Sequence, residues 1–424
     1  MSHGLVIAAP TSGSGKTTLT LGILRALAEK GYAVRSAKSG PDYIDGAFHA
    51  HATGQTCVNL DAWAMTPDRL RTLAQGKDLL IVEGAMGLFD GAAHDGSGST
   101  ADVAAALRLP IVLVVDASRQ SQSIAALVHG FATYRQGTHI AGIILNKVGS
   151  TRHIQGLTAA LLPLGIPVLG TLPNTPEIEL PSRHLGLVQA EERADLDAFL
   201  TKVARHISDH IPLTSLIDLA EEIAPPKLKT HRLYPPAQRI AVAKDAAFAF
   251  AYPHLLMDWR AKGADLAFFS PLADDPVPDA DFVLLPGGYP ELHAGRLAAN
   301  AAFMSSLRAA PQVYGECGGY MVMGDGLIDK EGRRHAMAGL LRLETSFETP
   351  KRHLGYRHLK PLGGPWTSDL MGHEFHYAST VRAEGSPLFD ATDAAGKKIG
   401  SIGLRHQKHA GSFAHVIDAA PPAP

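Results

Sequence analysis

Residues 9–19, APTSGSGKTTL, form a glycine-rich turn directly after the apolar run at residues 5–9 and directly before an amphipathic segment. The turn follows the phosphate-binding pattern G-x-x-x-x-G-K-[ST], except that Pro10 occupies the position of the first glycine. Backbone N–H groups of such a loop and of the helix N-terminus that follows surround a polyphosphate. Pro10 is compatible with this role, because the amides that contact phosphate lie further along the chain. The stretch therefore predicts a strand, a nucleotide-binding loop and a helix.

Short apolar runs alternate with helical patterns on both sides of this loop, over the first 225 residues. The segment TTLTLGILRALAEKG has helical periodicity and ends at Gly31, a plausible helix stop. This alternation predicts a parallel sheet with helices on both faces. The runs that we interpret as buried strands are GLVIAAP, YAVRSAKSG, DLLIVEGA, PIVLVVDAS, IAGIILNKV and IPVLGTLPN.

A proline-rich and basic stretch, IAPPKLKTHRLYPPAQ at residues 223–238, interrupts the pattern. We place the linker at residues 226–238, between a domain at residues 1–225 and a second domain at residues 239–424. A second strand and helix series follows the linker: RIAVAKD, FAFAYPHLLMDWRAKG, DLAFFSP, DFVLLPGG and QVYGECGG. The last ~80 residues are rich in short strand patterns. Two domains also agree with a length of 424 residues, which exceeds what one core usually supports.

Composition excludes several classes of function. The chain has 39 basic and 41 acidic residues, so no net positive field favours nucleic acid or an anionic membrane. Its apolar runs are shorter than the ~20 residues of a membrane-spanning helix, and we expect a cytoplasmic protein. Two cysteines provide neither a disulfide framework nor a cysteine-based zinc site.

The phosphate loop and two later strand ends predict one nucleotide site. Lys16 is expected to reach the outer phosphates, and the Thr17 hydroxyl to bind Mg²⁺. Polar groups at the carboxyl ends of parallel strands converge, and Glu83 is placed to be a second Mg²⁺ ligand. An alternative for the Asp residues is that they only cap helices. The loop residues assigned to the nucleotide are Ser12, Gly13, Ser14, Gly15, Lys16, Thr17 and Thr18, and the strand-end groups are Lys38, Asp42, Tyr43, Asp45, Glu83 and Asp90.

The stretch ILNKVGS identifies the base. It begins like the guanine-reading N-K-x-D element, but Gly149 replaces the carboxylate, so Asn146 is better suited to the adenine amine. ATP is therefore the predicted nucleotide. Lys38, Asp42 and Tyr43, together with Arg183 and His184 of LPSRHLGLV, are assigned to substrate binding. Arg183 and His184 suit carboxylates or phosphates, with a plain surface role as the alternative.

The second domain carries a nucleophile pattern in VYGECGGYMVMG. Cys317 follows an apolar strand and precedes a helical segment, and flanking glycines permit the exposed, strained turn of a nucleophile elbow. The amides of Gly318 and of Gly288, in LLPGGYPE, are placed to form an oxyanion hole. A thiol needs a basic partner, for which His373, His376 and His415 are candidates. A buried structural cysteine is the alternative.

Taken together, the motifs APTSGSGKTT, KSGPDYID, VEGAMGLFDG, LPSRHLGLV, LPGGYPE, YGECGGYM, GHEFHYAS and GSFAH resemble the cobyrinic (or hydrogenobyrinic) acid a,c-diamide synthase family over residues 4–417. The resemblance implies an α/β architecture: a P-loop synthetase domain similar to dethiobiotin synthetase, and a class I-like glutamine amidotransferase domain. It also implies that Cys317 hydrolyses glutamine and that His415 raises its nucleophilicity. The carboxylate found two residues after the histidine of ordinary triads is absent, because the chain reads His415-Val416-Ile417, and this leaves open what orients the imidazole.

The family further implies the destination of the phosphate. The a and c acetate carboxylates of a corrin ring attack the γ-phosphate of ATP, and ammonia from glutamine converts the acyl phosphates to amides. In that reaction Asp45 and Asp90 are expected to orient the substrate carboxylate or ammonia. We predict ATP and Mg²⁺ as co-substrate and cofactor, a corrinoid tetrapyrrole and glutamine as substrates, and a homodimer.

Two alternatives remain at this point. Ni-sirohydrochlorin a,c-diamide synthase uses the same chemistry on another ring, and the ATP and glutamine motifs do not separate the two. A P-loop ATPase switch with a degenerate second domain is the alternative from another class. Such switches carry an additional lysine early in the loop, and residues 10–14 contain none.

Overall fold

The computed structural model describes residues 2–178, 182–183, 186–187, 189–190, 193, 195–230 and 232–421. They fall into two compact units, Met1–Thr230 and His231–Pro424. The division between units lies inside the proline-rich segment at residues 226–238. In the described ranges no helix combines the length and the apolar character needed to span a bilayer.

The first unit is built on a parallel sheet in the order β3-β2-β4-β1-β5-β6-β7, with the short β10 antiparallel to β1. The predicted α/β sheet is confirmed. The short strands β3, β8, β9 and β10 were not predicted, and because β3 precedes β4, Glu83 ends the fourth strand rather than the third. The strands are β1 His3–Ala8, β2 Val34–Ser39, β3 Val58–Leu60, β4 Leu79–Glu83, β5 Ile111–Asp116, β6 Ile140–Val148, β7 Val168–Pro173, β8 Ser182–Arg183, β9 Gly186–Leu187 and β10 Glu221–Glu222.

Helices cover this sheet, and the first of them fixes the phosphate loop. Helix α1 buries Leu19, Ile23 and Leu27 at a spacing of four residues. At Gly22 a Cβ would lie 2.7 Å from Cγ1 of Val203, so the glycine permits close packing of α1 on α7. The helices are α1 Lys16–Glu29, α2 Ile44–Thr53, α3 Pro67–Ala74, α4 Thr100–Leu107, α5 Ile124–Thr133, α6 Thr151–Leu161, α7 Leu196–His210 and α8 Leu213–Leu219.

The second unit has a sheet in the order β12-β11-β13-β14-β23-β22-β21-β18-β19-β24 and a smaller sheet in the order β16-β15-β17-β20. Pairing is parallel from β12 to β23 and antiparallel from there to β24. Its strands are β11 Arg239–Ala243, β12 Asp265–Phe269, β13 Phe282–Leu285, β14 Val313–Glu316, β15 Gly326–Ile328, β16 Arg334–Ala336, β17 Arg342–Ser346, β18 His353–Pro361, β19 Leu370–His376, β20 Ser379–Glu384, β21 Ser386–Thr392, β22 Lys398–His406, β23 His409–Ser412 and β24 Ala414–Ala419.

The sheet of the second unit curves so that its last strand returns to β14. The backbone N–H of Val416 on β24 donates to Oε1 of Glu316 on β14, at 3.1 Å. This contact brings the closing GSFAH segment beside the GECGG turn. The helices of this unit are α9 Pro253–Ala261, α10 Ala294–Ala299, α11 Ala301–Ala309 and α12 Gly318–Val322.

Candidate active sites

The phosphate loop has the backbone geometry that its glycines predict. Gly13 and Gly15 have φ of 80° and 81°, in the left-handed region that glycine adopts without steric cost. Ser14 Oγ donates to the carbonyl of Thr11 at 2.8 Å, which closes the turn before α1 begins at Lys16. The first amides of α1 have no intrahelical acceptors, so the loop presents donors to an anion.

Two neighbouring residues at the end of β6 hold this loop. Asn146 Nδ2 donates to the Ser14 carbonyl at 2.8 Å. Lys147 Nζ donates to the Gly13 carbonyl at 3.2 Å and pairs with Asp116 Oδ2 at 2.9 Å. No role was predicted for Lys147 from the sequence, although it follows Asn146 directly in the N-K pair. Asn146 also lines a pocket together with Gly15, Thr18, Leu19, Lys147, Leu172, Pro173, Asn174, Thr175, Ile178 and Ile207.

The strand-end charges form a buried ion cluster directly beneath the loop. Lys38 Nζ lies 2.6 Å from Asp45 Oδ2 and 2.9 Å from Glu83 Oε1. Thr17 Oγ1 donates to the same Glu83 oxygen at 2.6 Å, and Lys16 Nζ lies 3.7 Å from it. The sequence prediction that these groups converge at one edge of the sheet therefore agrees with the geometry.

Electrostatic interactions keep Lys38 and Glu83 of this cluster charged. Burial acts to lower the pKa of Lys38, but the charges of Asp45 and Glu83 outweigh it and raise that pKa well above its usual value. Burial also acts to raise the pKa of Glu83, but Lys38 and His49 hold it well below its usual value. The predicted substrate-binding side chain of Lys38 is only 2% exposed, so its position suits neutralisation of the two carboxylates rather than an open contact surface.

The buried ion cluster also includes His49, which contacts Glu83. Its Nε2 lies 2.6 Å from Glu83 Oε2, and its Nδ1 lies 3.6 Å from the thiol of Cys57. Burial acts to lower the pKa of His49, but the interactions with Cys57 and Glu83 raise it to about 10. We did not predict this residue from the sequence. The available signal was its spacing of four residues from Asp45, which places both on one face of α2.

The oxygen ligands in this cluster suit a hard divalent cation. Mg²⁺ is commonly held by one or two protein oxygens together with substrate phosphates. Thr17 and Glu83 supply such oxygens, and Asp45 Oδ1 is buried without a hydrogen-bond partner among the described residues. Within those residues no group of three or more His, Cys, Asp or Glu side chains is arranged to hold a metal alone.

The remaining predicted residues of this unit have different surroundings. Asp42 Oδ1 accepts from the N–H groups of Ile44 and Asp45 at 2.9 and 3.0 Å, so it caps α2, as the alternative interpretation proposed. Asp90 is exposed, and its Oδ2 accepts from the Gly87 N–H at 2.8 Å. Tyr43 is half-buried at the start of α2. Of the predicted pair in LPSRHLGLV, the side chain of Arg183 and all of His184 lie outside the described residues.

The second unit contains the predicted nucleophile elbow. Cys317 lies between β14 and α12 with φ of 47° and ψ of −103°, a strained conformation for a residue with a side chain. Its N–H donates to the Ser412 carbonyl at 2.8 Å, and its Sγ donates to the Phe375 carbonyl at 3.7 Å. A Cβ on Gly318 would lie 3.1 Å from the Gly288 nitrogen, so the two amides predicted for the oxyanion hole are close together.

His415 is oriented by groups that do not follow it in the sequence. The backbone of Phe250 interacts with its ring and acts to raise its pKa, and its Nδ1 lies 3.9 Å from Oε2 of Glu316. Its ring also packs against Gly287, where a Cβ would lie 2.9 Å from Nε2. Phe250, Gly287 and Glu316 were not predicted for this role, although Glu316 directly precedes the nucleophile in the chain. These three residues orient the imidazole of His415 in the absence of a carboxylate two residues after it in the chain.

The ionisation states in this site are those of a neutral pair. Burial, reinforced by the charge of His373, lowers the pKa of His415 to about 3. Burial, reinforced by the charge of Glu291, raises the pKa of the Cys317 thiol well above its usual value. Both groups are therefore neutral, and a neutral imidazole is the form that can accept a proton as a general base.

The two other candidate histidines have different partners. His376 Nε2 lies 3.0 Å from Glu374 Oε1, and its ring stacks between His353 and Phe413 at 4.6 and 3.8 Å. His373 lies opposite His415 across the β19–β24 pair. Of the three candidates, His415 is the one whose Nδ1 approaches a carboxylate of β14, the strand that leads into Cys317, and it stays the predicted base.

Comparison with known proteins gives matches over both units. Residues 5–188 match the CobQ/CobB/MinD/ParA nucleotide binding domain, and residues 239–422 match the CobB/CobQ-like glutamine amidotransferase domain. The chain is 55% identical to the hydrogenobyrinate a,c-diamide synthase of Brucella anthropi, with 98% of each chain covered. It is 54% identical to the protein of that name from Brucella abortus, again over 98% of each chain. For the one from a Sinorhizobium species the identity is 52%, over 98% of this chain and 99% of the relative.

Proposed function

The chain belongs to the family of hydrogenobyrinate a,c-diamide synthases, and on that premise we propose that it converts the a and c acetate carboxylates of hydrogenobyrinic acid to amides. ATP activates each carboxylate, and glutamine supplies the nitrogen. The observation that carries the proposal is the presence, in one chain, of a phosphate loop over buried carboxylates, a strained cysteine and a buried, neutral histidine.

Activation takes place in the first unit. An oxygen of the substrate carboxylate attacks the γ-phosphorus of ATP, ADP leaves, and the product is an acyl phosphate. Because a carboxylate is a poor acyl donor and an acyl phosphate has a good leaving group, this step makes amide formation feasible. The loop amides and Lys16 neutralise the charge that develops on the phosphoryl oxygens. We assign Asp45 and Asp90 to orientation of the substrate carboxylate or of ammonia.

Asn146 is proposed to select the adenine base. Its Nδ2 is engaged with the Ser14 carbonyl, so its Oδ1 is the atom suited to accept from the adenine amine. The pocket beside it has apolar walls from Leu172, Pro173 and Ile178, which suit a flat base. In the same site Thr17 and Glu83 are proposed to hold Mg²⁺, which when bound neutralises phosphate charge.

Ammonia is produced in the second unit. His415 accepts the proton of the Cys317 thiol as sulfur attacks the amide carbon of glutamine, and the Gly288 and Gly318 amides stabilise the oxyanion. The imidazolium then gives that proton to the amide nitrogen, which leaves as ammonia, and water hydrolyses the resulting thioester to release glutamate and the free thiol. Free ammonia attacks the acyl phosphate, with release of inorganic phosphate, to give the amide.

The names of the relatives support hydrogenobyrinate, a ring without a bound metal ion, as the substrate. The three proteins described above are all called hydrogenobyrinate a,c-diamide synthases, which favours this substrate over Ni-sirohydrochlorin. An ATPase switch does not account for the elbow at Cys317. We further propose a cytoplasmic homodimer that binds neither nucleic acid nor membranes; light scattering of the purified protein tests the dimer.

A substrate panel tests the proposal. ATP hydrolysis by the purified protein is measured with glutamine and with hydrogenobyrinate, cobyrinate or Ni-sirohydrochlorin in turn. We expect hydrogenobyrinate to give the largest stimulation. Preferential stimulation by Ni-sirohydrochlorin would establish the alternative enzyme. ATP hydrolysis that none of the three rings stimulates would contradict both diamide synthase assignments.

A further inference from the structure

A half-buried glutamate near the nucleophile elbow has one buried carboxylate oxygen and has no part in the mechanism above. Glu291 belongs to the short 3-10 turn Pro290–His293, which follows Gly287 and Gly288 of the LPGGYPE motif. This turn packs on the elbow, because a Cβ on Gly318 would lie only 2.7 Å from Cδ of Pro290. Oε2 of Glu291 is buried and has no hydrogen-bond partner among the described residues.

Three carboxylates act electrostatically on Cys317, namely Glu291, Glu374 and Glu316. Glu374 is engaged with Arg357, whose Nη2 lies 2.7 Å from its Oε2. Glu316 accepts from the Val416 N–H. Glu291 exerts the largest charge effect of the three on the thiol, and it alone has a buried oxygen without a partner in the described part of the chain.

A buried carboxylate without a partner is costly, and a bound cation offsets that cost. Glutamine brings such a cation. When its side-chain amide carbon is held at Cys317, three C–C bonds and one C–N bond separate that carbon from the α-ammonium nitrogen, a reach of about 5 Å. The ammonium group is therefore carried into the same neighbourhood as the elbow and its adjoining turn.

We propose that Glu291 is the residue that binds the α-ammonium group of glutamine, so that it selects an amino-acid amide over amides that lack this charge. The inference rests on the proposed function, since it concerns the substrate of the same Cys317. Ionised Glu291 forms a charge-assisted hydrogen bond with the ammonium group and holds the amide carbon at the thiol. Burial raises the pKa of Glu291 to about 8, which agrees with a site that lacks its cation when no substrate is bound.

The test compares L-glutamine with 4-carbamoylbutanoate, which is the same molecule without the α-amino group. We expect the wild type to hydrolyse glutamine with the higher kcat/KM, and Glu291→Gln to reduce that preference on the order of 10- to 100-fold. The loss is expected in glutamine hydrolysis only, with hydrolysis of 4-carbamoylbutanoate retained. Glu291→Asp keeps the charge and is expected to retain part of the preference.

Controls separate this inference from a structural effect and from failure of the proposed function. Glu331→Gln removes an exposed carboxylate of the same unit and should leave the preference unchanged. Equal losses with both amides in Glu291→Gln, or an unchanged preference, would overturn the role of Glu291 while the wild type still makes the diamide. A wild type that hydrolyses neither amide and makes no diamide with ammonium salts would overturn the proposed function as well.

Discussion

The imidazole of His415 lies directly against the α-carbon of Gly287. A side chain at position 287 would occupy the space of the ring, so the glycine is required to seat the predicted base. Gly287→Ala is therefore expected to displace the imidazole and reduce glutamine hydrolysis by about 100-fold or more. Ammonium-dependent amidation should remain near the wild-type rate. A variant with full glutaminase activity would mean that His415 is not held by this contact.

Lys38 neutralises two buried carboxylates, and its removal should destabilise the first unit. Lys38→Met leaves Asp45 and Glu83 without their shared cation, which is expected to cost about 3 to 5 kcal/mol in the free energy of unfolding. Urea denaturation of the full chain at pH 7 measures the loss, with the exposed Lys30→Met as control. Equal free energies of unfolding for the two variants would show that Lys38 does not stabilise the first unit by neutralising these carboxylates.

Asp45 is expected to act in the synthetase reaction and not in glutamine hydrolysis. With ammonium chloride as nitrogen donor, Asp45→Asn should reduce diamide formation by about 100-fold, because general acid–base and orienting groups contribute on that scale. Asp209→Asn, an exposed change on α7, serves as the control. An unchanged rate of diamide synthesis by Asp45→Asn would remove Asp45 from the reaction.

Glu316 should make the second unit less stable as the pH rises. Burial raises its pKa from 4.5 to about 8 in the folded state, so the folded chain binds the proton more tightly than the unfolded chain. The resulting stabilisation is complete below about pH 4.5 and is lost as the pH rises through about 8. Glu316→Gln carries no such proton, and its Oε1 can still accept from the Val416 N–H.

The free energy of unfolding of Glu316→Gln should accordingly match that of the wild type near pH 5. At pH 8 it should exceed the wild-type value by about 2 to 4 kcal/mol, as measured by thermal denaturation at each pH. Glu291 leaves a residual slope in the variant, because its pKa is raised in the same direction. Parallel pH profiles for wild type and variant would show that Glu316 is not buried in this way.

The elements nearest the chemistry were predicted from the sequence because their patterns are local. The loop glycines, the helix stop at Gly31 just after α1 and the elbow at Cys317 each depend on neighbouring residues in the chain. The partners that orient these groups were not predicted. Glu316 reaches His415 only because the curved sheet brings β24 back to β14. The pairing register of many antiparallel strands cannot be predicted from any single segment of the sequence.

The same distinction explains Lys38 and β3. The sequence placed Lys38 at a strand end, but its burial between Asp45 and Glu83 follows from packing of α2 against the sheet. Strand β3 has only three residues, which is too short for a clear periodic pattern. Positions along the chain were therefore sufficient to predict where the site lies, whereas three-dimensional packing determined which of its charged side chains are buried and paired.

The most direct test of the account follows nitrogen from glutamine into the ring. The purified protein is incubated with ATP, hydrogenobyrinate and glutamine labelled with ¹⁵N at its amide, and the product is examined by mass spectrometry. We predict two labelled amides per ring, formed only with ATP, and no labelled product from Cys317→Ala unless ammonium salts replace glutamine. Labelled diamide from Cys317→Ala with glutamine, or no diamide from the wild type, would contradict the account.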